Sequence, residues 1–433
     1  MLSIKFIREH KEAIKASEER RDHDPQIVDQ VLRLDEEWRS KKTELQELQK
    51  QRNIVSEEIN ALMKEKKKDE AQVKIKEMKE LVEKLKDQEQ KTSALQKERD
   101  ILAKQIGNIL EDSVPKGKSD ADNPTLKEVG EKPSFDFPIK DHQEILQDLD
   151  LVDMETAAAV SGARFYYLKN EAVLLDLALQ RFAVDLLREK GFNLIYPPFM
   201  LNRAALAGGV NLSEFQDTIY KIEDEDLYLI GTSEHPLVAL KQNTLMKEAE
   251  LPLKLCGISA CFRKEAGSHG RDTKGIFRVH QFNKIEQIIY CLPEKSKEFF
   301  DYAQNISEEI FNKLGIPFRV VQICTGDIGN KQSLQYDIEG WFPGQNEKKG
   351  AYRELTSCSN CTDYQSVTLN TKFQRTGAAP SEKEYVHIIN NTAIATARAI
   401  VAILENFQTK DGTVKVPEVL WPYMSGIKEI GKK

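Results

Sequence analysis

The sequence predicts an α+β protein in two unlike parts. An antiparallel helical hairpin comes first, then a larger domain with a mainly antiparallel sheet flanked by helices. Three observations predict it. The first 106 of 433 residues hold no glycine and one proline, Pro25, whereas all 22 glycines lie from Gly107 onward. Apolar residues between positions 31 and 109 recur in steps of three and four, the seam of a coiled coil. Beyond residue 140, short β-rich runs alternate with amphipathic stretches, the mixture of an α+β domain. The expected boundaries are 1–112 for the hairpin, 113–140 for a linker and 141–433 for the second domain.

The hairpin is read from two series. Val31, Leu34, Trp38, Leu45, Leu48, Val55, Ile59 and Leu62 form the first, with Lys41 and Arg52 at the skipped positions. Met78, Leu81, Leu85, Leu95, Leu102, Ile106 and Ile109 form the second, interrupted by Gln88, Thr92 and Arg99. Between them, Lys64 to Glu70 is wholly charged, which suits the tip of a hairpin, since one continuous helix has no reason to lose its seam there. Each arm of ~38 residues would span about 57 Å at the α-helical rise. Such an arm reaches a large partner. The pattern alone equally suits a dimerising coiled coil or a spacer.

Residues 113–141 carry Pro115, Pro124, Pro133 and Pro138 among polar residues, the composition of a linker. Further on, Glu171 to Lys190 reads as an amphipathic helix. Asn193 to Tyr196, Leu227 to Ile230, Phe318 to Ile323 and Tyr385 to Ile389 read as strands. Helices are expected around Glu294 to Leu314 and Ala393 to Phe407.

Composition bounds the function classes. No apolar run approaches the ~18 residues of a transmembrane helix. Met1 to Arg8 is amphipathic and lacks an apolar signal core, so secretion is not expected. Six cysteines in 433 residues suit reduced thiols in a cytoplasmic protein rather than a disulfide scaffold. The formal charge is −7, from 63 Lys+Arg and 70 Asp+Glu. Residues 1–110 hold 25 and 24 of these, and the remainder 38 and 46, so the acidity belongs to the second part. Neither a P-loop nor a dinucleotide-binding glycine motif is present.

One stretch concentrates chemistry. Phe262-Arg-Lys-Glu265 is followed by a glycine-rich polar loop carrying His269, Arg271 and Lys274, then by Ile276-Phe-Arg-Val-His-Gln-Phe-Asn-Lys-Ile-Glu286. The flanks are β-compatible, so the whole reads as a long hairpin. Residues two apart share a strand face, which pairs Arg263 with Glu265, and Phe282 shares a parity with Glu286. A guanidinium can bind phosphate bidentately, a ring can stack on a base, and carboxylates can hold an ammonium group or Mg²⁺. Arg-x-Glu alone would more often describe a surface hairpin held by salt bridges.

The full string resembles motif 2 of class II aminoacyl-tRNA synthetases in the form of the seryl-tRNA synthetase family. Further stretches match in the family's order. Gly191-Phe-Asn-Leu-Ile-Tyr-Pro-Pro198 resembles motif 1, the dimer interface. Leu229-Ile-Gly-Thr-Ser-Glu234 resembles the serine loop. Tyr352 to Cys361 resembles the segment before motif 3, and Ile389 to Arg398, running into Leu404-Glu405-Asn406, resembles motif 3. The helical hairpin resembles the family's tRNA-binding arm. The resemblance covers almost the whole chain.

It implies a class II catalytic domain working as a homodimer. Its activity is that of a serine–tRNA ligase: serine is activated with ATP to seryl-adenylate, then passed to the 3′ end of tRNA(Ser), with tRNA(Sec) a further acceptor in the family. Arg263 matches the arginine that bridges the α-phosphate and the serine carboxylate. Arg398 matches the arginine that reaches the γ-phosphate and covers the adenine. Phe282 lies beneath that adenine, Arg278 is a further phosphate contact, and the main chain near Val279 meets the adenine edge. Glu265 matches a residue on the ATP side. Lys264, Leu355 and Thr356 fall within the matching ATP-binding stretches. Glu354 and Ser357 match the pair that ligates Mg²⁺, an oxygen-only set of the kind this ion favours. For serine, Thr232, Glu234 and Glu286 match residues that hold the ammonium group and side chain, with Ser233 between the first two. Asn390 and Thr392 match positions near the hydroxyl.

Thr232-Ser-Glu and Asn390-Asn-Thr depart from the commoner bacterial Thr-Ala-Glu and Asn-Gly-Ser, and resemble the archaeal and eukaryotic branches. Cys358 and Cys361 form a C-x-x-C with no second Cys/His pair nearby, and ordinary family members carry these cysteines without metal, so no zinc is expected. His235, His269 and His280 are read as structural, because the mechanism requires no general base. The resemblance also implies that the arm meets tRNA phosphates, with the Lys66 to Lys68 cluster near its tip. A different acceptor, such as a carrier protein, would suit a relative without the arm.

Overall fold

The computed structural model describes residues 1–210, 216–265 and 275–431. His269, Arg271 and Lys274 lie outside the described residues. The chain divides into two compact units, Met1–Ile109 and Leu110–Lys433.

The first unit is all helical. Two short helices, Ile4–Glu9 and Lys11–Arg20, precede α1 (Gln26–Lys64) and α2 (Lys68–Ala103), which pack antiparallel. The turn between them lies within the charged stretch, and Lys66 takes a left-handed backbone there (φ 60°). The polar breaks in the seam pair across it. Gln88 Nε2 donates to Lys41 O at 3.1 Å and to Glu44 Oε2 at 3.0 Å. Arg99 Nη1 reaches the buried Asp35 at 3.0 Å, and its guanidinium stacks on Trp38 at 4.6 Å. These pairs fix the register that an apolar seam alone leaves loose. The base is closed by Glu18 Oε1, which accepts from Gly107 N at 2.9 Å, and by Arg21 Nη2, which donates to Asn108 O at 2.9 Å.

The second unit is built on an eight-stranded sheet. In chain order its elements are β1 (Thr125–Val129), α3 (Asn170–Glu189), β2 (Asn193–Ile195), α4 (Glu234–Ala239), β3 (Leu253–Phe262), β4 (Gln281–Cys291), α5 (Ser296–Leu314), β5 (Phe318–Gln322), β6 (Leu334–Phe342), β7 (Ala351–Asn360), β8 (His387–Ala395) and α6 (Thr396–Asn406). The strand order is β1-β5-β6-β7-β8-β4-β3-β2. All neighbours are antiparallel except β2 and β3. β1 lies within the segment read as a linker. Its residues, TLKEV, are almost entirely exposed and form an edge strand, so neither an apolar run nor a clean alternation marks it.

α3 buries Leu175, Ala178, Leu179, Phe182, Leu186 and Leu187 at helical spacing. α5 ends at Gly315, whose φ of 69° is the left-handed cap that glycine adopts without strain. In α6 every residue is buried except Arg398. Arg398 is therefore the one side chain of this helix left partly exposed, and it lines the cleft described below. Among the described residues no helix is long and apolar enough to cross a membrane.

Candidate active site

β4 and its two neighbours hold the centre of the site. Phe282, Lys284 and Glu286 alternate along β4 and so share one face. Gly257 on β3 stands opposite Glu286, and Thr392 on β8 opposes it from the other side. Gly257 is there because of a close approach: a Cβ would lie 2.5 Å from Ser233 Oγ, so any side chain would push the 232–234 segment off the sheet.

A cleft opens over this face. Arg263, Glu265, Arg278, Val279, Phe282, Glu354, Leu355, Thr392 and Arg398 line it, together with Phe277 and Lys284. Arg263 sits one residue beyond β3. Its Nε donates to Gly231 O at 3.1 Å, and its guanidinium lies 5.3 Å from the Phe282 ring. The main chain is tied there too, with Arg263 N donating to His280 O at 2.9 Å. The imidazole of His280 meets Arg263 O at 2.7 Å. The position is thus fixed before any ligand binds.

Arg263 and Glu265 do not share a strand face. β3 ends at Phe262, and Glu265 has φ 50°, a left-handed turn that breaks the alternation. Glu265 instead pairs with Arg278 at 3.2 Å, so both still reach the cleft. Arg278 Nε is buried and has no partner among the described residues.

Glu354 and Ser357 are three apart, and in a regular strand they would face opposite ways. A bulge in the β6–β7 pairing leaves Leu355 as the extra residue, which turns Glu354 and Ser357 to one face. Arg398 Nη1 lies 3.2 Å from Glu354 Oε1 and 2.9 Å from Glu354 O. The Arg398 guanidinium holds this carboxyl below its ordinary value. Asp337 stands opposite Ser357, and Gln335 Nε2 donates to Asp337 Oδ1 at 3.0 Å and to Ser357 Oγ at 2.9 Å. Burial, then the charge of Glu354, pushes the Asp337 carboxyl up to about 8.

Next to the cleft lies a small polar pocket. Thr232 Oγ1 donates to Glu286 Oε2 at 3.1 Å and accepts from Glu234 N at 3.1 Å. Lys284 forms an ion pair with Glu286, and its Nζ lies 3.4 Å from Thr392 Oγ1. Asn390 Nδ2 donates to Cys361 Sγ at 3.2 Å. Burial holds the Glu286 carboxyl above its usual value. Burial also presses Glu234 upward, but Lys331 and the other nearby cations outweigh it and leave the group below its usual value.

Three predicted residues turn elsewhere. The Ser233 hydroxyl is fully buried against Gly257. Lys264 lies over Tyr220 at 5.7 Å, and its backbone N donates to Thr218 O. The side chain of Thr356 is buried in the sheet. His235 is buried, and burial drops its imidazole to about 3, so it is neutral at working pH. Cys358 and Cys361 are both buried, and neither forms a disulfide. Burial pushes Cys361 up to about 12. Lys284, Asp337 and Lys331 join the site without belonging to the residues predicted for it. Lys284 carried a signal in its parity with Phe282 and Glu286. Lys331 and Asp337 carried none, because a fold-level approach brings them in.

Comparisons with known proteins give the family. Residues 1–110 match the "Seryl-tRNA synthetase N-terminal domain" family, and residues 219–407 match the "tRNA synthetase class II core domain (G, H, P, S and T)". The serine–tRNA ligase of Methanocorpusculum labreanum is 46% identical over 99% of this chain and 100% of its own length. The chain belongs to the seryl-tRNA synthetase family. The serine–tRNA ligase of Archaeoglobus fulgidus is also 46% identical, over 99% of this chain and 97% of its own. Among solved structures, the Pyrococcus horikoshii seryl-tRNA synthetase complexed with ATP superposes with a TM-score of 0.89 at 44% identity, covering 100% of both chains. The cytoplasmic serine–tRNA ligase of Naegleria fowleri in complex with AMP gives 0.85 at 40% identity, covering 100% of this chain and 99% of that one.

Proposed function

We propose that the chain is a serine–tRNA ligase, a class II aminoacyl-tRNA synthetase, and that the residues above act as follows. The observation that carries the reading is the adjacency of two sites: a cleft bearing Arg263, Phe282, Glu354 and Arg398, and a polar pocket of Thr232, Glu234, Glu286 and Thr392.

The first step joins the serine carboxylate to the α-phosphorus of ATP and releases pyrophosphate. The carboxylate is already ionised at neutral pH, so alignment and charge stabilisation do the catalysis. Arg263 bridges carboxylate and α-phosphate, and its Gly231 and Phe282 contacts hold it for that task. Phe282 stacks beneath the adenine, whose edge meets the main chain at Val279. Arg398 covers the adenine from the other side and reaches the γ-phosphate. Arg278 offers its unpartnered Nε to phosphate, and Glu265 orients it. Lys264, Leu355 and Thr356 contribute through their main chain. Glu354 and Ser357 fit Mg²⁺: both present oxygen, and the bulge turns them to one face. Such an ion neutralises the phosphates when bound.

Thr232, Glu234 and Glu286 hold the serine ammonium group, and Asn390 and Thr392 face its hydroxyl. Alanine would leave these buried groups unpaired and is rejected on that ground. The terminal hydroxyl of tRNA(Ser) then takes the seryl group and AMP leaves; tRNA(Sec) is a second acceptor of the same class.

The arm, residues 1–112, meets tRNA phosphates through its Lys and Arg residues, and its presence favours tRNA over a carrier protein as acceptor. The chain works as a homodimer in the cytoplasm. Val173, Leu174 and Leu177 on α3, and Leu194 and Tyr196 on the motif 1 segment that follows it, leave apolar side chains exposed, which supports that pairing. Serine-dependent ATP–pyrophosphate exchange tests the reading, and charging of tRNA(Ser) tests the second step.

A further inference from the structure

Two carboxylates, Glu234 and Glu286, are buried in one pocket, and each has its own lysine. Lys284 pairs with Glu286 and comes from the same strand. Lys331 pairs with Glu234 and comes from the turn before β6, outside every motif that marked the site. Its Nζ also lies 3.4 Å from Gly209 O. Gln365, in the short helix Tyr364–Leu369, donates from Nε2 to Glu234 at 2.8 Å. Lys331 and Gln365 bind the same oxygen, Oε1. Among the described residues, Oε2 takes no hydrogen bond.

We infer that Lys331 is a positioning residue of the amino-acid pocket, clamping Glu234 through Oε1 so that Oε2 is held, ionised, for the substrate's ammonium group. This rests on the serine pocket proposed above. The physical need is clear. A buried carboxylate without a compensating cation takes up a proton, and a protonated Glu234 no longer attracts an ammonium group. A carboxylate held at one oxygen is also pre-oriented at the other, so less freedom is lost when substrate binds. The pair of lysines leaves the carboxylate pair close to neutral, the balance that suits a zwitterion.

The charged and titratable groups around Glu234 are Lys331, His235 on its own helix, Glu286 and Lys284 on β4, and Cys361 after β7. His235 and Cys361 stay neutral between pH 6.5 and 8.5, because burial moves them to about 3 and about 12. Lys331 is therefore the main group whose removal frees Glu234 to titrate.

The test is pyrophosphate exchange with full-length Lys331→Met and Lys331→Arg. For the methionine variant, the serine KM should rise about tenfold or more at pH 7, the scale of one charge-assisted hydrogen bond. The ATP KM should stay within about twofold, since Lys331 does not line the ATP cleft. The variant's serine KM should fall as pH rises from 6.5 to 8.5, while the unaltered enzyme's stays flat. Arginine should restore most of the affinity. An unchanged serine KM overturns the proposal. So does a matched rise in both KM values with a lower Tm, which marks a merely structural lysine. Absence of serine-dependent exchange in the unaltered enzyme would overturn the functional reading, and the clamp with it.

Discussion

Replacing Arg263 with alanine removes the group proposed above to touch both reactants. Its Nε is committed to Gly231 O and its plane to Phe282, so the two Nη groups are left for ligands. Losing one such donor from a pre-organised site costs ~2.7–4 kcal/mol, a factor of about a hundred to a thousand. In the proposed mechanism two ligands share this guanidinium, and groups acting as a unit are not additive, so kcat/KM for exchange should fall about a thousand- to ten-thousandfold. Arg263→Lys keeps the charge but loses the fork and the ring stack, and should recover only about tenfold of that. The structural cost is small, since the Gly231 hydrogen bond is worth about 1 kcal/mol. Serine-dependent pyrophosphate exchange, with Tm measured alongside, reads the effect. An alanine variant within tenfold of the unaltered enzyme would refute the placement of Arg263.

Neutralising Lys66, Lys67 and Lys68 to alanine should leave exchange unchanged and raise the tRNA KM. The slope of log KM against log salt should shrink by up to about three phosphate contacts, measured by charging at several ionic strengths. Arg375→Met should lower Tm by about 1–3 °C at pH 7, the scale of an exposed pair. Arg375 hydrogen bonds hold the Glu294 carboxyl down to about 2 in the fold, against an ordinary 4.5. That contribution is complete above pH 4.5 and is lost as pH falls through about 2, so the Tm gap should close over that window.

Much of this was legible in the residues, for physical reasons that differ by region. The arm was readable because its 3.6-residue periodicity is local, and the charged run at Lys64 to Glu70 marked the turn. The polar seam positions were visible, but their pairing was not: Gln88 finds Lys41 and Glu44, and Arg99 finds Asp35, only once the hairpin closes. α3 and α5 announced themselves by amphipathicity. β1 did not, because an exposed edge strand has no buried face to impose a pattern. Within the site, strand parity placed Phe282 and Glu286 together. The same rule failed at Arg263 and Glu265, where the left-handed Glu265 ends the alternation. It would also have separated Glu354 from Ser357, because a bulge is not written as a two-residue period. Lys331 was invisible for another reason: it enters the pocket from a turn 97 residues away from Glu234.

The most direct measurement of the central claim is ATP–pyrophosphate exchange by the purified full-length chain against a panel of amino acids. Serine–tRNA ligase activity entails exchange with serine, and strong rejection of alanine because the pocket's buried polar groups would go unpaired. Exchange with threonine or alanine and none with serine would contradict it.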